Sequence, residues 1–279
     1  MEPRLAALNW NVFNTTNHRQ RVISALVMGP VVLLAVYEGG LAYMFMAMVL
    51  GFLGLCEWLR MADPNAHRHV VIFAHAALLV TLGIGYFQPV LGALAGIVLV
   101  LILFLLAARD HEDRAGWIAV GLPYMGGFGL AFLYLRNVPG IGDELVYYLL
   151  ATVWGTDIGA YIAGRLIGGP KLAPAISPNK TWAGLFGGMA LAALFGYAVA
   201  ALCGARQPLA AGGFAIAIAV ISQLGDLFES YIKRRAGVKE SGDLIPGHGG
   251  VLDRIDGLIF AAVFFVLFQA AMQASLQWW

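Results

Sequence analysis

The chain has 279 residues, 60% of them hydrophobic and only 12% charged, with a formal net charge of +1. Soluble domains carry about 25% charged residues, so this composition leaves too little polar surface to cover a water-soluble globule. A net charge this small also lacks the electrostatic footprint of a nucleic-acid binder.

The apolar runs are continuous rather than alternating, which excludes a membrane barrel and leaves helices as the way to satisfy backbone polar groups inside lipid. Residues 1–18 are polar, and no small-residue cleavage site follows the first apolar run, which therefore reads as an uncleaved first helix. A helix needs about 20 apolar residues to cross the hydrocarbon. In chain order the spans fall near 22–38, 40–59, 70–87, 89–107, 116–135, 144–164, 181–203, 210–230 and 254–276, with a tight Gln88-Pro89 turn between the third and fourth. The expected fold class is all-α, a polytopic bundle of about nine transmembrane helices. Its expected organisation is a cytoplasmic segment 1–21, transmembrane helices over 22–135, and a catalytic region 136–279 with cytoplasmic loops 165–180 and 231–253.

Basic residues test that count, because cytoplasmic loops are enriched in Lys and Arg. Nine spans put fourteen of the 17 Lys and Arg residues on one side and only Arg136 and Arg206 on the other, with Arg254 at the start of the last helix. This asymmetry predicts a cytoplasmic amino terminus and a carboxyl terminus outside, where Trp278-Trp279 suits an interfacial anchor. Cys56 and Cys203 both lie in apolar runs without a second thiol nearby and read as small apolar fillers.

Charges inside membrane helices are costly and presumptively functional, and here they concentrate late in the chain. In WGTDIGAYIAGR (154–165), Asp157 and Tyr161 are four apart and share a helix face, while Gly155, Gly159 and Gly164 thin the helix for close approach. KLAPAISPNKTWAG (171–184) places a polar Ser177-Pro178-Asn179-Lys180-Thr181 turn just before a helix amino terminus, a favourable place for phosphate, with Lys171 and Lys180 as cationic donors. A solvated basic loop would explain those lysines equally well. SQLGDLFESYIKRR (222–235) repeats Ser222, Asp226, Glu229, Ser230 and Lys233 at spacings of three and four, one polar face on an apolar helix. A carboxylate there suits a hard cation; Lys233 to Arg235 also read as snorkelling residues at a helix end. KESGDLIPGHGGVLDRIDG (239–257) holds Lys239, Glu240, Asp243, His248, Asp253, Arg254 and Asp256 among glycines that let backbone N–H groups approach a phosphate or metal. Carboxylates, lysines and glycines with no reactive cysteine or serine-nucleophile motif point to metal-assisted phosphoryl or nucleotidyl transfer.

At these residues the chain resembles the integral-membrane phosphatidate cytidylyltransferases, or CDP-diacylglycerol synthases. That family's signature runs Ser, two residues, Lys-Arg, then Lys-Asp, and closes on His-Gly-Gly, two residues, Asp-Arg and a following Asp. Here it reads Ser230, Lys233-Arg234, Lys239-Glu240, His248-Gly249-Gly250 and Asp253-Arg254-Ile255-Asp256. ISPNKTW at 176–182, the Asp157-to-Tyr161 segment and the opening RVISALVMGPVVLLAVYE are similar to its other blocks. Glu240 stands where the family usually has Asp, and Ala183 where an acidic residue is common.

The resemblance implies that the phosphate of phosphatidate attacks the α-phosphorus of CTP and pyrophosphate leaves. It implies Asp226 and Asp253 as ligands of Mg²⁺, with a monovalent cation such as K⁺ alongside. Lys239, His248, Arg254 and Asp256 would shape the site around the phosphates, and Lys180 with Ser177 and Asn179 would contact the nucleotide. Asp157 would be either a third ligand or a partner to Arg254. The membrane would be a bacterial inner membrane, with CTP arriving from the cytosol and lipid from the inner leaflet; monomer and homodimer both stay open. Lipid kinases, CDP-alcohol phosphotransferases and ion-coupled transporters fit less well, the last because no repeat symmetry is apparent.

Overall fold

The computed structural model describes residues 16–245, 249–271 and 279, with side chains described from Leu26 onward. Nine helices run through these residues: α1 (Thr16–Glu38), α2 (Gly40–Ala62), α3 (Arg68–Phe87), α4 (Pro89–Asp110), α5 (Ala115–Arg136), α6 (Gly142–Leu166), α7 (Trp182–Leu202), α8 (Pro208–Arg235) and α9 (Leu252–Ala271). The chain is thus an all-α helical bundle. Among the described residues, α2 to α9 are long and apolar enough to cross a membrane, while the apolar part of α1 described with side chains, Leu26–Glu38, is shorter.

The breaks between helices have local causes. Gly39 and Gly40 both take left-handed φ, 62° and 52°, where a side chain would be strained, and so reverse the chain between α1 and α2. Pro89 opens α4 at its first turn, where a missing N–H costs nothing. The Arg136 guanidinium closes the same end of the bundle, donating from Nε to the Val36 carbonyl at 2.6 Å.

α2, α3, α4, α5 and α9 form one packed group around Trp58, Leu78, Leu82, Phe128 and Phe132, all buried. α6, α7 and α8 form a second, with α9 bridging the two. The α6–α7 seam is made of small residues. A side chain at Gly159 would strike the Gly187 carbonyl, and one at Gly188 would meet the Thr156 carbonyl at 2.9 Å. In lipid such close contact is what drives helices together. The outer faces carry exposed Val90, Leu94, Ile97, Val98 and Leu101 of α4, the apolar surface that lipid covers.

Two features depart from the expected spans. The segment 165–180, expected as a loop, contains an antiparallel hairpin of β1 (Lys171–Ala173) and β2 (Ser177–Thr181), with Lys171 opposite Thr181 and Ala173 opposite Ser177. It runs straight into α7, whose first turn is capped by the Thr181 hydroxyl accepting the Gly184 N–H at 3.0 Å. The other is α8, which reaches Arg235 rather than stopping near 230. Its polar last turns stay helical because they lie against α9 and the loop before it.

Candidate active site

The site is built on one face of α8. Ser222, Asp226, Glu229 and Lys233 recur every three or four residues, with Gln223 and Ser230 alongside, so they line one stripe of the helix. The opposite face carries Phe228, stacked on Trp58 and tilted against Tyr124. α9 crosses this stripe closely because glycines face it on both sides. A Cβ at Gly225 would meet the Asp256 carbonyl at 2.7 Å, and one at Gly257 would strike the Ser222 hydroxyl. That crossing sets Asp226 beside Asp256.

Two lysines thread the carboxylates. Lys180, at the end of β2, reaches Asp226 Oδ2 at 2.6 Å and Gln223 Oε1 at 2.9 Å. Lys233, nearly buried, bridges Glu229 Oε2 at 2.8 Å and Asp253 Oδ1 at 2.6 Å. The other oxygen of Asp253 accepts from the Ser241 and Gly250 backbone N–H groups at 2.9 and 2.8 Å and from the Ser241 hydroxyl at 3.0 Å. Asp256 Oδ1 accepts the N–H of Gly257 at 2.7 Å. Asp157 on α6 and Asp226 open onto one cavity of about 200 Å³, lined also by Tyr161, Asn179, Lys180 and Gln223.

The expected residues therefore separate. Asp157, Asn179, Lys180 and Asp226 share that cavity; on α9, Asp256 is close enough to Asp157 and Asp226 to act on them electrostatically, and Asp253 lies in the first turn. Arg254 is exposed but close enough to Asp157 to act on it electrostatically. Lys171 and Ser177 sit on the hairpin away from the cavity lining, and Lys239 is exposed on the loop after α8. His248 lies outside the described residues. A larger cavity of about 650 Å³ opens on the other side of α8, ringed by Arg60, Arg114 and Arg235 and lined also by Ser241.

Glu57 is the residue that the sequence reading passed over. It is buried on α2, and its carboxylate accepts the Val251 and Leu252 N–H groups at 2.8 and 2.9 Å and the Ser241 hydroxyl at 2.8 Å. A signal was available, since a carboxylate within an apolar span, even near its end, is itself exceptional.

Five carboxylates from three helices, Asp157, Asp226, Glu229, Asp253 and Asp256, meet two interior lysines. Asp157, Asp226, Glu229 and Asp256 act on one another electrostatically. Oε1 of Glu229 is buried and accepts no hydrogen bond. Its neighbour is the Asp256 carboxyl, another acceptor, so the pair calls for a shared proton or a cation between them. Among the described residues no three such side chains already converge on a single point. Magnesium does not require that, since it is held by one or two carboxylates together with water and substrate phosphate oxygens. The donor set, anionic oxygen without thiolate or imidazole, fits a hard cation of this kind.

Comparison with known proteins bears on which chemistry this is. The model of the Cytidylyltransferase family matches residues 19–272. The chain belongs to this family. Its relatives include a phosphatidate cytidylyltransferase of Brucella suis, 38% identical over 260 residues, spanning 91% of this chain and 94% of that one. Another, of Pseudomonas aeruginosa, is 36% identical over 271 residues, 91% and 97% of the two chains. A third, of Bacillus subtilis, is 30% identical over 260 residues, 88% and 95%. The family match encloses every described residue of the carboxylate cluster as well as Glu57.

Proposed function

We infer that the chain transfers the cytidylyl group of CTP to phosphatidate, forming CDP-diacylglycerol and pyrophosphate, the activity for which its relatives are named. One observation in the structure supports this most. Carboxylates from α6, α8 and α9 surround two lysines at one end of a membrane bundle, so that charged phosphates can meet there beside lipid.

A phosphate oxygen of phosphatidate attacks the α-phosphorus of CTP; the new P–O bond forms as the bond to pyrophosphate breaks. The nucleophile is already an anion and needs no strong base. What opposes the reaction is repulsion between anions, which positioned cationic groups offset. Lys180, in the cavity lining, is placed to bind a CTP phosphate, and Asn179 beside it to orient one. Arg254 and Lys239, both exposed, would hold the departing pyrophosphate. Lys233 has no such freedom; it keeps Glu229 and Asp253 in register. Asp226, Asp253 and Asp256 would hold Mg²⁺, which when bound neutralises charge on the phosphates. Asp157, facing Asp226 across the cavity, sets the negative field that retains the cation. All these residues come from one chain, so the reading needs no second copy. We place the site at the cytoplasmic leaflet of a bacterial cell membrane, where CTP is available.

The test uses protein purified in detergent with phosphatidate, Mg²⁺ and CTP labelled at the α-phosphate. Label should enter the lipid with release of pyrophosphate, and Asp226→Asn should slow that transfer by about 10²–10³-fold. Transfer of a γ-phosphate label instead would make the chain a lipid kinase and overturn the reading.

A further inference from the structure

The cavity of about 650 Å³ beside α8 is formed by residues other than those assigned to the transfer. Its volume is that of a ligand pocket, and it opens where α8 parts from the first group of helices. α8 packs along α6, α7 and α9, whereas the backbones of α2 and α5 stand off from it. Trp58, in the cavity wall, donates from Nε1 to the Trp117 carbonyl at 2.7 Å and so ties α2 to α5 on the far side of the gap.

Three arginines from separate parts of the chain converge here: Arg60 near the end of α2, Arg114 just before α5 and Arg235 at the end of α8. All three are exposed. Among the described residues no carboxylate pairs with Arg60 or Arg235, and Arg114 reaches only Asp63 Oδ1, at 3.6 Å. The Arg235 guanidinium lies over the Trp117 ring at 4.2 Å, a cation–π contact that places its charge without neutralising it. Asp113 and Glu240 also line the cavity but pair with none of the arginines, so three positive charges against two negative leave the lining at +1. Trp58, Trp117 and Ile232 make the rest of the wall apolar. The depth suits a lipid. α2 and α5 have 23 and 22 residues, about 33–35 Å at 1.5 Å per residue, against a hydrocarbon core of about 30 Å. Their ends, with Trp58, Arg60 and Trp117, therefore fall at headgroup level, where tryptophan is at home.

We propose that this cavity is a second lipid site, which binds the phosphodiester headgroup of an anionic phospholipid and so fills the gap between α8 and the α2–α5 pair. Guanidinium groups match phosphate oxygens two at a time, and basic pockets between membrane helices hold anionic headgroups. A lining of +1 matches the single charge of a phosphodiester. CTP and pyrophosphate carry several negative charges and would meet Asp113 and Glu240 in the same wall.

The experiment uses the full-length protein, stripped of lipid in detergent, and follows bound lipid by native mass spectrometry as dioleoylphosphatidylglycerol or dioleoylphosphatidylcholine is added. The anionic lipid should bind at least tenfold more tightly than the zwitterionic one and raise the unfolding temperature by several degrees. Arg60→Gln with Arg235→Gln should lose both the preference and the rise, whereas Arg60→Lys with Arg235→Lys should keep part of the preference. Asp226→Asn should bind phosphatidylglycerol as the parent does. Equal binding of the two lipids overturns the proposal, and so does an unchanged preference in the double Gln variant. Loss of phosphatidylglycerol in Asp226→Asn would put the lipid in the transfer cavity and overturn it. Stabilisation by inorganic phosphate alone, lost in the double Gln variant, would make this a site for soluble anions and overturn it too. A raised KM for phosphatidate with unchanged kcat in that variant would make the cavity the entrance for substrate, again against a second site. If the double Gln variant does not fold, Arg60→Gln alone should lower the preference at least threefold, and an unchanged preference counts against the proposal.

Discussion

At the scale of single residues, the ion pair of Lys180 and Asp226 is both a resting contact and a switch. The two groups lie 2.6 Å apart, with side-chain exposures of 16% and 29%. In the proposed mechanism Asp226 would hold the cation and Lys180 would bind a CTP phosphate, so the two act as a unit. Lys180→Met and Asp226→Asn should each lower the rate of α-label transfer by about 10²–10³-fold, the range for losing a charge-stabilising group. The double variant should fall little below the worse single one, as coupled catalytic groups do; multiplying losses would show that they act separately. Lys233 predicts otherwise. It is nearly buried between Glu229 and Asp253, and Lys233→Met leaves both carboxylates unpaired. Breaking a buried pair in this way costs about 3–5 kcal/mol, seen as a lower unfolding temperature in detergent, whereas Lys233→Arg should retain most of the stability. The sequence exposed Asp226 and the α9 aspartates because charges in or at the ends of apolar helices stand out one by one, and Lys180 because it sits in a polar turn just before a helix. It could not pair Lys233 with Asp253, and it hid Glu57, whose partners lie 184 to 195 residues away.

At the scale of elements, the α6–α7 seam holds Asp157 in place. Gly159, two residues from Asp157, meets the Gly187 carbonyl directly, while a Cβ at Gly127 on α5 would find its nearest neighbour at 3.8 Å. Gly159→Val should therefore force α6 away from α7, lowering both thermal stability and transfer rate by tenfold or more. Gly127→Ala should leave both unchanged. A silent Gly159→Val would mean that the seam is looser than its geometry. The helices themselves were legible because run length alone identifies a membrane span. The β1–β2 hairpin was not, since Ser-Pro-Asn-Lys-Thr reads as turn chemistry and its pairing depends on a register that local residues do not specify. The extent of α8 was hidden for a related reason. Its last turns are polar because they face a site, and from the sequence that polarity resembles a loop.

At the scale of the whole molecule, the cluster sits at a definite depth. α8 has 28 residues, about 42 Å at 1.5 Å per residue, against a hydrocarbon core of about 30 Å. It therefore emerges by some two turns. Arg235 ends it, lying over the Trp117 ring at 4.2 Å, and with Arg60 and Arg114 it lines the cavity at this end of the bundle. Asp226 is nine residues back, about 13 Å along the axis, which puts it near the boundary between headgroups and acyl chains. A lipid phosphate resides at that level, so phosphatidate reaches the site without leaving its leaflet. The same geometry fixes what sidedness must be. The loop with exposed Lys239 and the turn with exposed Arg206 lie beyond opposite ends of α8. In a background with Cys56 and Cys203 changed to alanine, Lys239→Cys should react with a membrane-impermeant thiol reagent only in inside-out vesicles. Arg206→Cys should react only in right-side-out ones. The reverse pattern would put the carboxylate cluster on the side without CTP, and the proposed orientation of the reaction would have to be abandoned even with the transfer chemistry intact.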